Sequence, residues 1–185
     1  ALISRLTLRS MQRAEYNTSC LGHFGLACNY YCHFTSPIRR YPDLQIHRII
    51  KEHIHGRMSE KKAEHYNVIL PMVAKESSAK ERRADEAERE VEKLKKAEYM
   101  TEHLGEEYEG VISGITSWGI FVELPNTVEG MIHVSDLEGD VFYYKEDTYE
   151  MVGLNTGKTY KLGQSIKIVT DYVDMTNRTI GFMVK

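Results

Sequence analysis

The sequence predicts an α+β protein, with a mostly helical first hundred residues followed by an all-β barrel. Two observations carry this. Between Pro42 and Met100, cap residues, helix formers and spaced apolar positions dominate. After His103 the texture changes, and Gly105, Gly110, Gly114, Gly119 and Gly130 punctuate short alternating runs. Charge divides at the same place. Residues 104–185 hold 6 Lys and Arg against 13 Asp and Glu, whereas residues 1–103 hold 18 against 14. Two domains, 1–103 and 104–185, follow from these shifts, each able to bury a modest core.

Residues 2–16 set Leu2, Leu6, Met11 and Ala14 among Arg5, Arg9 and Arg13, so an arginine recurs every four positions on one helical face. A solvated face is the plain reading. Asn17 to Gly22 is a polar loop, and Phe24 to Phe34, rich in aromatics, reads as an extended piece. Pro42 to His55 is a helix with Leu44, Ile46, Ile49, Ile50 and Ile54 as its apolar set, ended by Gly56. Ser59 is an N-cap for a second helix carrying Ala63, Tyr66, Ile69 and Leu70, which Pro71 is expected to break or restart. Ser78-Ala79-Lys80-Glu81 has the capping-box pattern and is expected to open a third, highly charged helix over about 78–100. Its stripe of Ala84, Ala87, Val91 and Leu94 is narrow. That fits an ion-pair-laced solvated helix, with a coiled-coil scaffold as the competing possibility.

Beyond residue 103, strands are expected over 108–115, 119–124, 130–134, 159–162, 165–172 and 179–184, with turns at Pro125-Asn126 and Met175 to Arg178. Five or so such strands suggest a small closed barrel.

The stretch from His33 to Arg48 is the densest in chemistry. Ser36-Pro37 pushes Ser36 out of the helical region. Tyr41-Pro42-Asp43 repeats the device, then opens a helix with an acid at its positive end. Between the prolines sit Arg39 and Arg40. Two guanidinium forks beside a helix start suit a phosphate oxyanion. Pairing with acids elsewhere in the chain would use the same residues structurally, and composition does not separate the two readings.

That stretch resembles the signature of the RNB family of exoribonucleases, the family of ribonucleases II and R. Gly22-His23-Phe24-Gly25-Leu26-Ala27 with Tyr31, and Arg9-Ser10-Met11 with Ala14 and Tyr16, extend the match, which is nearest to the ribonuclease R branch. The resemblance implies processive 3′-to-5′ degradation of RNA to nucleoside 5′-monophosphates by Mg²⁺-assisted hydrolysis. It implies Arg39 as the phosphate contact, with Arg40 and Ser36 as weaker catalytic candidates. Tyr16 and Tyr41 would shape the pocket for the RNA 3′ end, although packing of Tyr41 on its own helix is an equal alternative. Glu81 and Arg82 would lie near the RNA channel. The family's metal-holding aspartate cluster lies upstream of this motif. Here Asp43, Asp85, Asp136, Asp140, Asp147, Asp171 and Asp174 are scattered. The chain is therefore expected to be a fragment of a longer enzyme, to hold no metal and to cut nothing by itself.

The second half resembles an S1 domain, an RNA-binding OB-fold. Gly110 to Ser113, Trp118 to Leu124, Gly130 to Ser135 and Leu162-Gly163-Gln164 carry the likeness, with Trp118 where phenylalanine is usual. Trp118, Phe121 and His133 would share one barrel face and stack on unpaired bases, helped by Lys167 and Arg178. Without the resemblance, Phe121, in a strongly apolar strand, reads as barrel core rather than as a stacking surface.

Cys20, Cys28 and Cys32 lack a Cys-x-x-Cys pair and suit free thiols in a reducing, cytoplasmic setting. No apolar run approaches membrane-spanning length. The net charge of −3 argues against a simple basic nucleic-acid binder. Single-stranded RNA is the expected partner, with ribosomes or degradation machinery as further partners and a monomeric state. The competing function is a non-catalytic S1-type RNA-binding protein, which would have no need of the pattern at 22–48.

Overall fold

The computed structural model describes residues 7, 10, 11 and 14–185, so the arginine-bearing helix expected over 2–16 lies largely outside the described residues. The chain divides into two compact units, one within Gln12–Ala87 and one containing Glu88–Lys185.

The first unit opens irregularly. Phe24–Leu26 form one 3₁₀ turn, closed by a bridge between His23 and Cys28, where an extended piece is expected from composition. Helix α1 spans Tyr41–Ile54, with Pro42 in its first turn and Asp43 beside it. Its buried residues are Asp43 and Gln45, whereas Ile50 and Ile54 stay exposed.

Helix α2 runs from Glu60 to Thr101 without interruption. Pro71 lies inside it and neither breaks nor restarts it. The missing N–H and ring clash cost about 3 kcal/mol, which long runs of good helix formers on both sides of Pro71 offset. Ser78 is correspondingly not a cap. It sits in mid-helix, and its hydroxyl donates to the Ala74 carbonyl at 3.0 Å. Surface ion pairs of the i,i+3 and i,i+4 kind line α2, among them Lys96–Glu92 and Lys95–Glu98.

In the second unit, β1 (Glu107–Thr116), β2 (Gly119–Glu123), β3 (Glu129–His133), β7 (Ser165–Asp174) and β8 (Thr179–Val184) close a barrel in the order β1-β2-β3-β8-β7. All pairings are antiparallel except β3 with β8. Inward residues alternate with outward ones, so Ile112, Ile120, Val122, Ile132, Ile168 and Phe182 form the core. Met100, near the end of α2, is fully buried in the same cluster. Two bulges interrupt the alternation, one at Ser113 and one at Asp171.

Strands β4 (Phe142–Lys145), β5 (Glu150–Gly153) and β6 (Thr159–Tyr160) make a separate three-stranded sheet. The strand expected over 159–162 belongs to it rather than to the barrel. Periodicity misses β4 and β5 because they are four residues each and lie among charges. Asp140 staples this insertion. Its carboxylate accepts from the backbone N–H groups of Val141, Asn155 and Thr156 and from the Thr156 hydroxyl. The Thr156 hydroxyl and these N–H groups hold the carboxyl far below the usual range, against the opposing effect of burial.

Candidate nucleic-acid interface

In the first unit, the turn between the two prolines is built by hydrogen bonds. The N–H groups of Arg39 and Arg40 both donate to the Ser36 carbonyl, at 3.3 and 2.9 Å. Asp43, one turn into α1, reaches back. Its Oδ2 accepts from the Ser36 N–H at 2.8 Å and from Arg40 Nε and Nη2 at 3.2 and 2.9 Å. Asp43 is fully buried and its Oδ1 takes no hydrogen bond among the described residues. Burial is the largest influence on this carboxyl and pushes it up. The Ser36 N–H and the Arg40 guanidinium together outweigh burial and hold it below its usual range.

This geometry separates the two arginines. Arg40 is taken up by Asp43 and also donates to His33 Nδ1, so its fork serves the turn. Arg39 is exposed and makes no side-chain hydrogen bond or ion pair among the described residues. Ser36 contributes its backbone to the turn. Tyr41 accepts a hydrogen bond from Gln45 of its own helix while still lining a cleft. That cleft, of ≈ 670 Å³, is walled by Arg39, Arg40 and Tyr41 on one side and Glu76, Lys80, Glu81 and Asp85 of α2 on the other.

Tyr16 is brought to the same helix. Its N–H donates to the Ser78 hydroxyl at 2.8 Å and its own hydroxyl donates to Glu81 at 2.6 Å. The capping-box pair thus anchors Tyr16. Burial first, then the bond to the Glu81 carboxylate, pushes the Tyr16 hydroxyl up to about 12. Arg82 lines a second hollow with Tyr16, Asn17 and Pro71. Among the described residues no group of three or more His, Cys, Asp or Glu side chains could hold a metal ion, and Cys20, Cys28 and Cys32 are free and exposed.

In the second unit, Trp118 occupies the β1–β2 turn, 71% exposed, with its N–H on the Thr116 hydroxyl at 3.3 Å. Phe121 is not core. It points outward from β2, opposite Met131 on β3, while its neighbours Ile120 and Val122 point in. His133 pairs with Gly119 on the same outer side, and its Nδ1 meets the Ser135 hydroxyl at 2.8 Å. Phe121 and His133 thus share one outer face, and Trp118 stands exposed at the turn beside it, its carbonyl accepting from the Val134 N–H at 2.9 Å. Of the two cations, Arg178 does not stand free beside them. Arg178, in a left-handed turn conformation, is bonded to Glu90 of α2. Lys167 stands exposed on β7, where its backbone register partner on β1 is Glu109. The residues that sequence reasoning missed are Asp43, whose buried role has no sequence signal beyond its helix position, and Ser78, hidden by its capping pattern.

Comparison with known proteins follows this division. Residues 1–56 match the RNB domain, and residues 102–185 match the S1 RNA binding domain. Ribonuclease R 1 of Lactococcus lactis subsp. lactis (strain IL1403) is 50% identical over 181 residues, covering 98% of this chain and 22% of the relative. Ribonuclease R of Thermotoga maritima is 41% identical over 185 residues, covering 98% of this chain and 26% of its own length. The chain thus spans about a quarter of the curated relatives it matches. Among solved structures, the apo form of Mycoplasma genitalium RNase R superposes with a TM-score of 0.89 at 28% identity, over 98% of this chain and 29% of that one. The same enzyme in complex with ribose methylated single-stranded RNA gives the same values.

Proposed function

Since the chain belongs to the ribonuclease R-like RNB family and carries an S1 domain, we propose that it serves a 3′-to-5′ exoribonuclease, releasing nucleoside 5′-monophosphates from single-stranded RNA in the cytoplasm. One observation carries the reading at residue level: of two adjacent arginines, Arg40 is consumed by Asp43 and Arg39 is left facing a cleft. Arg39 binds the scissile phosphate and stabilises the charge that develops on it. Tyr41 and Glu81 flank the same cleft and position the RNA 3′ end. Mg²⁺, when bound, would supply an activated water for such hydrolysis. The barrel grips RNA separately, by stacking bases on Trp118 and Phe121, which explains how a strongly acidic module holds a polyanion.

The test is Arg39→Ala in the full-length enzyme. Removing a contact to developing charge should lower kcat by about 10²–10³-fold while changing RNA affinity far less. An unchanged kcat removes Arg39 from the chemistry. The chain of 185 residues alone should release no nucleotide from a labelled oligonucleotide with Mg²⁺ present, and release would overturn the assignment of the metal site to other parts of the enzyme.

A further inference from the structure

On β7, Ile166, Ile168 and Thr170 are buried. Strict alternation would send residue 172 inward after them. The bulge prevents this. Thr170 pairs with Phe182 and Tyr172 with Gly181, leaving Asp171 over. An extra residue of this kind re-aims the side chain that follows it, and Tyr172 stands outside, 49% exposed. Its ring lies over Gly181, where an added Cβ would come within 2.1 Å of the Tyr172 ring. Only glycine lets that ring lie so close to the strand.

The row continues. Gly181 pairs with Met131 and Met131 with Phe121. Phe121 in turn lies over Gly114, the residue after the other bulge, with its ring 3.5 Å from where a Cβ would be. Gly114, Phe121, Met131, Gly181 and Tyr172 thus form one outward row with one residue from each barrel strand. Two aromatic rings lie at different points of it, each set on a glycine. Shielding a glycine in a strand needs one face of a ring. The other face of Tyr172 remains open to solvent.

We propose that Tyr172 is a further stacking platform for single-stranded RNA, extending the surface of Trp118, Phe121 and His133 across β3 and β8. This rests on the RNA-binding reading of the barrel. Phe121 and Tyr172 are three strand spacings apart along the row, about 14 Å, within the footprint of about 4–16 nucleotides that such a barrel covers. Every base has a flat face, so the contact adds length rather than sequence preference. It also needs no cation, which suits a site beside Asp171 and Asp174.

The experiment measures binding of labelled oligouridylates of four and twelve nucleotides to the full chain by fluorescence anisotropy. Tyr172→Ala should weaken binding of the longer strand about five-fold or more, and of the shorter by less than about two-fold. Tyr172→Phe should bind like the parent, and Trp118→Ala and Phe121→Ala should weaken both strands. If Tyr172→Ala leaves the long strand unaffected while Trp118→Ala weakens it, Tyr172 is no platform. If none of these alanine variants changes affinity, the RNA-binding reading of the barrel itself falls. Should Tyr172→Ala disturb the strand pair, as circular dichroism would show, the unsubstituted chain decides. Irradiated with a 5-iodouridine-containing twelve-mer, it should form an adduct on the peptide holding Tyr172. Adducts confined to the peptide holding Trp118 and Phe121 would overturn the proposal.

Discussion

Replacing Asp43 by alanine should release the turn that presents Arg39. The substitution deletes three hydrogen bonds to a buried oxygen: from the Ser36 N–H at 2.8 Å and from Arg40 Nη2 and Nε at 2.9 and 3.2 Å. Bonds to a charged group are worth about 1.5–3 kcal/mol each but do not add. The better guide is the loss of one partner from a buried ion pair, about 3–5 kcal/mol. That figure applies because Arg40, with its side chain 16% exposed, would keep only His33. Amide hydrogen exchange reads the effect where it occurs. The Arg39 and Arg40 N–H groups, both bonded to the Ser36 carbonyl, should exchange about 10²–10³-fold faster after correction for intrinsic rates. Asp43→Asn should fall between, because it keeps an acceptor for Ser36 and loses the charge. The pH dependence has a fixed sign. A carboxyl held below its usual range contributes stability above the unfolded pKa of about 3.9, and loses it as pH falls through the lower folded value. The parent should therefore lose protection in the turn under acid, whereas Asp43→Ala should show no such step. Equal protection in parent and variant, within about two-fold, would refute the argument that Asp43 holds the turn.

Two further expectations concern the frame around the interface. Asp140→Asn should lower the thermal midpoint of the barrel unit by a few degrees and remove part of its acid sensitivity, since the depressed Asp140 carboxyl contributes fully above about pH 4 and loses that contribution progressively as pH falls towards its lower folded value. A lowering of the midpoint no smaller at about pH 2 than at about pH 7 would sink that account. Ser78→Ala should leave the part-buried Tyr16 N–H without its acceptor, at a cost of about 1–3 kcal/mol. The Tyr16 amide should then exchange faster while α2 stays helical by circular dichroism, and helix loss would mean that Ser78 acts as a cap after all.

The sequence by itself determined the order of parts. Pro42 beside Asp43, followed by spaced apolar residues, is enough to start α1, and the observed Tyr41–Ile54 differs from the expected span by one residue at each end. Glycine-punctuated alternation is enough to place β1, β2, β3, β7 and β8, because a strand's two faces are written in its own residues. It also brings Phe121 and His133 to one outer face, since pairing β2 with β3 follows from a short turn.

Tertiary structure alone decided the rest. The Ser78–Glu81 pattern is identical whether it caps a helix or anchors Tyr16 from mid-helix, and only the continuity of α2 through Pro71 separates these. Arg39 and Arg40 are chemically equivalent in the sequence. The reach of Asp43 makes one structural and leaves the other free for the cleft. Tyr172 follows an alternation that points inward, and one unpaired residue, Asp171, turns it out. In each case the deciding quantity is a contact between segments, and local periodicity carries no record of which partner a side chain will meet.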